Sequence, residues 1–169
     1  SPPGISMVTF SKKAWAAYET STTPKYYLDI KQYEDYLKIG QPPFTPCLPA
    51  MFTLEVALQS MVDEGIENVF ARHHEIAQHT RDGAKALGLD LLPDPRFASN
   101  TVTAIRLPEG LDGKAFLGLV NKNYNVVLGG GQKSLVGKIF RLGHMGWVEK
   151  EHIDEALKAA EETLKSMTS

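Results

Sequence analysis

The alternation of apolar and polar positions changes period several times along the chain, and each change marks an element. Ile5 to Phe10 is an apolar, strand-like run and predicts a strand, after which Ser11 stands as N-cap of a short helix carrying Ala14, Trp15 and Tyr18 on one side. Ser21-Thr22-Thr23-Pro24 ends it. Asp29 caps a second helix with Ile30, Tyr33 and Leu37 at helical spacing, closed by Gly40 at C′. From Pro49 to Glu64 a third helix places Phe52, Val56, Leu58 and Met61 near one face and stops at Gly65. Ile66, Val69, Phe70, Ile76, Ala77, Thr80, Ala84 and Leu87 then repeat at helical spacing as far as Gly88, the pattern of a long amphipathic helix bracing a domain junction. Asp94-Pro95 to Asn100 reads as loop. The remainder predicts strand Thr101 to Leu107, helix Asp112 to Val120, strand Val126 to Leu128, strand Lys138 to Leu142 and helix Glu149 to Met167. Together with the long helix this order is α-β-α-β-β-α, a small open sheet with helices packed on one face, in the α/β (α+β) class.

Composition narrows the function classes. With 169 residues, 43% hydrophobic and 22% charged, the chain is ordinary globular material for one domain, or one domain plus a piece of another. A net charge of −2 and a pI near 6.2, with no basic run longer than Lys12-Lys13, argue against a nucleic-acid or anionic-membrane partner. The one cysteine, Cys47, excludes an internal disulfide framework, and no stretch reads as a membrane span or signal peptide, so a reducing cytoplasm is the expected compartment. Ser1-Pro2-Pro3-Gly4, which lacks an initiator methionine and leads straight into an apolar run, reads as the interior of a longer protein.

The most pointed chemistry lies in Lys138-Ile139-Phe140-Arg141-Leu142-Gly143-His144-Met145-Gly146, where one arginine sits inside an apolar strand beside two glycines. Burying an unpaired guanidinium costs several kcal/mol, so Arg141 must meet a carboxylate or phosphate, supplied either by an acid of the chain or by a ligand. Its planar fork of donors suits a carboxylate. His144 reads as a local hydrogen-bonding group that positions this strand. Gly129-Gly130-Gly131 with Gly137-Lys138 is not a phosphate-binding loop, since five residues separate Gly131 from Gly137 where four are needed and Ile139 stands where a metal-binding hydroxyl belongs. The glycines instead let backbone approach a neighbouring strand or ligand. His73, His74 and His79 lack metal-ligand spacing and read as surface or interface residues, and Cys47 reads as a packing residue. In Gln41-Pro42-Pro43-Phe44-Thr45-Pro46 the prolines fix a loop whose only hydroxyl is Thr45. No metal-ligand motif, Ser-His-Asp order or catalytic carboxylate pair stands out. Residue chemistry alone therefore reaches an anion-binding module.

Taken in order, Pro2-Pro3-Gly4, Tyr26-Tyr27-Leu28-Asp29, Phe44-Thr45-Pro46, Glu67-Asn68 with Arg72-His73, Leu128-Gly129-Gly130 and Phe140-Arg141-Leu142-Gly143-His144-Met145-Gly146 resemble the C-terminal part of class V aminotransferases. This is the group of alanine–glyoxylate, serine–glyoxylate and serine–pyruvate aminotransferases that use pyridoxal 5′-phosphate, and the nearest subgroup carries the older label of soluble hydrogenase small, tritium-exchange subunit. No cysteine cluster that could hold a hydrogenase metal centre is present. The resemblance implies fold type I of the pyridoxal-phosphate enzymes, with residues 1–64 completing the large cofactor domain and 65–169 forming the small C-terminal domain. It further implies that Arg141 grips the substrate α-carboxylate, that Gly129 and Gly130 lie at the substrate end of the pocket, and that Thr45 offers its hydroxyl to the cofactor phosphate across a homodimer. Pro42 and Phe44 depart from the tyrosine–histidine pattern some members show in that loop.

In this family the Schiff-base lysine precedes the Pro-Pro-Gly, which places it upstream of Ser1 and leaves the chain inactive alone. The implied activity of the full-length parent is transfer of an amino group from a small amino acid, serine or alanine, to a 2-oxo acid, glyoxylate or pyruvate. A lyase of the same fold and a non-enzymatic interaction module are the alternatives. A chain cut from its large domain would also leave apolar surface exposed on its first part.

Overall fold

The structure is a computed structural model, and it describes residues 3–168; Pro2, the first residue of the Pro-Pro-Gly landmark, lies outside the described residues. The chain divides after Glu64 into two compact units.

In the first unit, polar caps set the helix ends. The Ser11 hydroxyl accepts the Ala14 amide at 3.2 Å and opens α1 (Lys12–Thr20). Asp29 does the same for α2 (Ile30–Lys38), accepting the Lys31 amide at 3.2 Å. The same carboxylate accepts the Tyr18 hydroxyl at 2.7 Å, so one residue caps a helix and ties it to the preceding one. Gly40, at φ +67°, takes the left-handed turn that ends α2 without a Cβ penalty. The proline loop follows, with Phe44 packed among Tyr26, Tyr27 and Tyr33 at centroid distances of 5.5, 4.8 and 6.1 Å. Next comes α3 (Leu48–Glu64).

One expectation fails in this unit. Ile5 to Phe10 is not a strand. Its apolar content suits a strand, but a strand exists only where a neighbour takes up its amides and carbonyls, and the described residues of this unit offer none. Ile5 instead borders a shallow apolar cleft with Met51, Leu54, Leu58 and Val62. The first part carries the exposed apolar surface that was expected of it: Phe52, Val56, Leu58 and Met61 of α3 are all exposed, and Ala50 is the only described hydrophobic residue of the unit that is buried.

The second unit has a core. It begins with α4 (Ile66–Ala86), whose stripe Val69, Ile76, Ala77, Thr80, Ala84 is buried as its spacing predicts. Strand β1 (Val102–Arg106), helix α5 (Gly113–Tyr124), strand β2 (Gly129–Gly130), strand β3 (Ile139–Gly143) and helix α6 (Lys150–Thr168) complete it. The sheet is antiparallel in the order β1-β3-β2, with Thr103 opposite Leu142, Ala104 opposite Arg141 and Ile105 opposite Phe140. Period-two alternation turns Thr103, Ile105, Phe140 and Leu142 toward the helices, where Phe116 meets Phe140 at 5.2 Å. It leaves Ala104, Arg141 and Gly143 on the other face. Helices α4 and α6 pack closely because Gly83 has no side chain; a Cβ there would stand 2.3 Å from Leu157 Cδ1.

Three boundaries move. The loop after Asp94 contains a 3-10 turn, Pro95–Phe97, capped by the Asp94 carboxylate. Helix α5 runs on to Tyr124 and ends at Asn125 in the left-handed conformation, φ 55°. The strand predicted at Val126 to Leu128 is absent, and the ladder is made by Gly129 and Gly130 instead. Branched side chains favour a strand at Val126-Val127, but those residues cross from helix end to sheet edge, and the register opposite Arg141 and Phe140 falls on the glycines.

Candidate active site

Arg141 stands at the centre of β3, the middle strand, on the face turned away from the helices. Gly129 lies opposite it in β2, and a Cβ at Gly129 would come within 3.4 Å of Arg141 Nε and 3.5 Å of Nη2. The arginine therefore arches over a glycine. Its Nε donates to the Gly130 carbonyl at 2.9 Å, which holds the plane of the guanidinium against the edge of the sheet. Among the described residues no carboxylate pairs with Arg141, and neither terminal nitrogen has a protein partner. Of the two partners that chemistry demands, an acid of the chain or a ligand, the described residues supply no acid. A half-buried guanidinium fixed through Nε with its two Nη groups free is a fork for a carboxylate.

Behind this strand lies a buried polar network. His144 is 1% exposed. Its Nδ1 stands 3.1 Å from the Asn100 carbonyl, which can only accept, so Nδ1 carries the proton. Nε2 is then a lone pair and accepts the Thr103 hydroxyl at 2.8 Å. The His144 amide donates to the Thr101 carbonyl at 2.9 Å. Burial first, then the nearby Arg81 and His73, push the His144 pKa below its ordinary value, while its hydrogen bond to Asn100 opposes the shift. His144 was expected to bond locally, but its ring instead reaches Thr103 and Asn100, 41 and 44 residues away in sequence.

Arg81, 9% exposed, extends the network by donating to the Ser99 carbonyl and to Gln78 Oε1, each at 3.3 Å. Sequence reading passed over it, although its place between Ala77 and Ala84 on the buried stripe of α4 was a signal of burial.

The histidines of α4 do not converge. His73 Nδ1 bonds the Val69 carbonyl at 2.7 Å, and its Nε2 accepts the Gly146 amide at 3.1 Å. Arg72 donates to the Gly146 carbonyl and lies 5.0 Å from the Trp147 ring. His79 pairs with Asp154 at 2.6 Å, and His74 is exposed. Two landmark pairs far apart in sequence, Arg72-His73 and Met145-Gly146, are thereby one contact. No group of three His, Cys, Asp or Glu side chains among the described residues could hold a metal.

Arg141, Gly129 and Gly130 are neighbours in the sheet. Thr45 lies in the other unit, exposed in its proline loop and with no hydrogen-bond partner among the described residues. Cys47 is exposed rather than packed, because the neighbouring prolines hold the loop outside any core.

The helices and three-stranded antiparallel sheet match solved structures of the pyridoxal-phosphate-dependent aminotransferase fold. The chain is homologous, along nearly its whole length, to the C-terminal part of the class V aminotransferases. It is 39% identical over 168 residues to an uncharacterized aminotransferase of Methanocaldococcus jannaschii, a match covering 98% of this chain and 44% of that protein. It is 40% identical over 166 residues to the soluble hydrogenase small subunit of a Synechococcus strain, covering 98% of this chain and 43% of that one. The crystal structure of an alanine–glyoxylate aminotransferase from Nostoc superposes with a TM-score of 0.85 at 28% identity, over 92% of this chain and 42% of that one. The chain thus spans less than half the length of the proteins it matches. No family model matches it. Among the described residues no helix is long and apolar enough to cross a membrane.

Proposed function

We propose that this chain is the C-terminal portion of a pyridoxal-phosphate-dependent aminotransferase that moves an amino group from serine or alanine to glyoxylate or pyruvate. The observation that carries the reading is Arg141, held through Nε over Gly129 with both Nη groups free and no described acid beside it. Amino donor and 2-oxo acceptor share one feature, a carboxylate next to the reacting carbon. One bidentate site therefore serves both halves of the reaction.

In this reading residues 65–169 form the small domain and residues 1–64 complete the large one, in a homodimer working in the cytoplasm. The residues present fit the cofactor: Thr45 offers an unengaged hydroxyl on a rigid loop, the kind of donor a phosphate takes up. Pyridoxal phosphate, when bound, supplies the electron sink for the bonds to the reacting carbon. The work of this chain is orientation. Arg141 fixes the carboxylate and so the direction of the reacting Cα–H bond, while Gly129 keeps a side chain out of the space beside the fork and Gly130 holds Nε through its carbonyl.

The test is the full-length gene product with added pyridoxal phosphate, L-serine or L-alanine, and glyoxylate or pyruvate. Formation of the matching 2-oxo acid, with a change in cofactor absorption, is the expected result. Arg141→Ala should raise KM for both substrates and lower kcat/KM roughly 100-fold or more, the scale of a lost bidentate charge-assisted contact. Kinetics unchanged in that variant would remove Arg141 from the substrate site.

A further inference from the structure

Strand β3 is supported unevenly. On one side β1 pairs with it from Ile139 to Gly143. On the other, β2 contributes only Gly129 and Gly130, whose register reaches Arg141 and goes no further. The end of β3 beyond Arg141 therefore depends on β1 alone, and its last residue, Gly143, brings no side chain to secure it. His144 follows at once. Its backbone amide bonds Thr101, its Nδ1–H bonds Asn100 and its Nε2 receives Thr103, so three successive bonds fasten this end of β3 to the start of β1. Arg81 takes the neighbouring Ser99 carbonyl, and the carbonyls of residues 99, 100 and 101 are held in turn by Arg81, the His144 ring and the His144 amide.

We infer that His144 is a positioning residue for Arg141: through Thr103 and Asn100 it pins the free end of β3 and so keeps the guanidinium in one orientation over Gly129. An apolar side chain of similar size would fill the same space. It would not fasten β3, and it would leave the Thr103 hydroxyl buried without a partner. The fastening requires one neutral tautomer, since a protonated ring has no lone pair for Thr103. The groups facing the ring favour that state: Arg81 from α4 places positive charge near it, His73 from the same helix is engaged through both ring nitrogens with Val69 and Gly146, and β1 with its preceding turn offers only the Thr103 hydroxyl and the Asn100 carbonyl. The consequence for catalysis rests on Arg141 being the carboxylate fork; the positioning itself does not.

The experiment is nitrogen-15 NMR on the full 169-residue chain, reading the His144 ring nitrogens and solvent exchange of the Arg141 Nε–H that bonds Gly130. In the wild-type protein near neutral pH, His144 should be Nδ1-protonated. Thr103→Val, which keeps shape and removes the hydroxyl, should speed Arg141 Nε–H exchange roughly tenfold, the scale of one lost hydrogen bond, and Thr103→Ser should restore it. Unchanged Arg141 exchange in Thr103→Val, or a rise shared equally by the amides of α5 and α6, would overturn the inference. Should Thr103→Val not fold, an acid titration of the wild type decides: loss of the Arg141 Nε–H signal in step with His144 protonation supports the inference, and loss at an unrelated pH refutes it. Because no substrate is involved, failure here leaves the aminotransferase reading standing, and a failed aminotransferase assay leaves the positioning standing.

Discussion

At the scale of single residues, the molecule separates charges that are held from charges that are offered. Arg72 and Arg81 both spend donors on backbone carbonyls, whereas Arg141 commits only Nε and keeps the rest of its fork. His144 makes the buried side of this arrangement sensitive to acid. Its folded-state pKa lies below the ordinary value of 6.5, so the unfolded chain binds the proton first as pH falls. The neutral ring's contribution to stability is thus complete above pH 6.5 and is lost as pH drops from there toward the lowered folded value. Exposed carboxylates with depressed pKa values, such as Asp94, act only at lower pH. Urea unfolding of the chain at pH 7.5, 6.5 and 5.5 should therefore show stability falling with pH, and His144→Gln, which cannot titrate, should show a shallower fall. Equal slopes for the two proteins would mean that His144 is not the group being titrated.

At the scale of elements, the glycines around β2 have different tasks and should respond differently to the same change. A Cβ on Gly131 would stand 2.0 Å from the Leu135 carbonyl oxygen and 2.9 Å from Ile139 Cγ1, so backbone must move to admit it. At Gly129 the nearest atom is Arg141 Nε at 3.4 Å, the contact distance of an ordinary packed side chain. Gly131→Ala should therefore destabilise the chain by about 3 kcal/mol, the upper range for overpacking, and Gly129→Ala by under about 1 kcal/mol, in denaturant melts. Gly129→Ala should instead show its effect as altered Arg141 Nε–H exchange.

Such distinctions were only partly legible in the sequence. The caps Ser11 and Asp29, the C′ glycine at 40 and the buried stripe of α4 could be read directly, because capping and helical periodicity are local. Arg141 was legible because a charge inside an apolar strand is conspicuous. The partners of His144 were not, since Thr103 and Asn100 lie 41 and 44 residues away and nothing local marks them. The strand expected at Val126 to Leu128 and the one expected at Ile5 to Phe10 failed for a related reason: pairing depends on a distant neighbour, which apolar side chains in a short run do not report.

At the scale of the whole molecule, burial is distributed very unevenly between the two units. Residues 65–169 contain Ile105, Phe116, Val120, Phe140 and Ile153, all at most 2% exposed, inside a closed set of helix and strand contacts. Among the described residues of 1–64, only Ala50 is a buried hydrophobic, while Leu28, Leu37, Phe52, Val56 and Val62 are each more than 60% exposed. Helices of this length are marginal in water without packing, since nucleation is costly and most helical stability comes from a buried face. Their caps, and ion pairs such as Lys31 with Glu34, add only tenths of a kcal/mol to about one each. In the isolated chain, amides of α1, α2 and α3 should therefore open locally, while those of α4, β1, α5, β3 and α6 open only with global unfolding. Native-state hydrogen exchange should separate the two sets by a factor of about 100 or more in protection. The exposed apolar side chains should also make the isolated chain bind apolar dyes and associate, through residues 1–64, on a scale that residues 65–169 alone do not show. Equal protection in both units, with a monomer in light scattering and no dye binding, would mean that residues 1–64 bury their apolar face without help. The description of that unit as one lacking its own core would then be wrong.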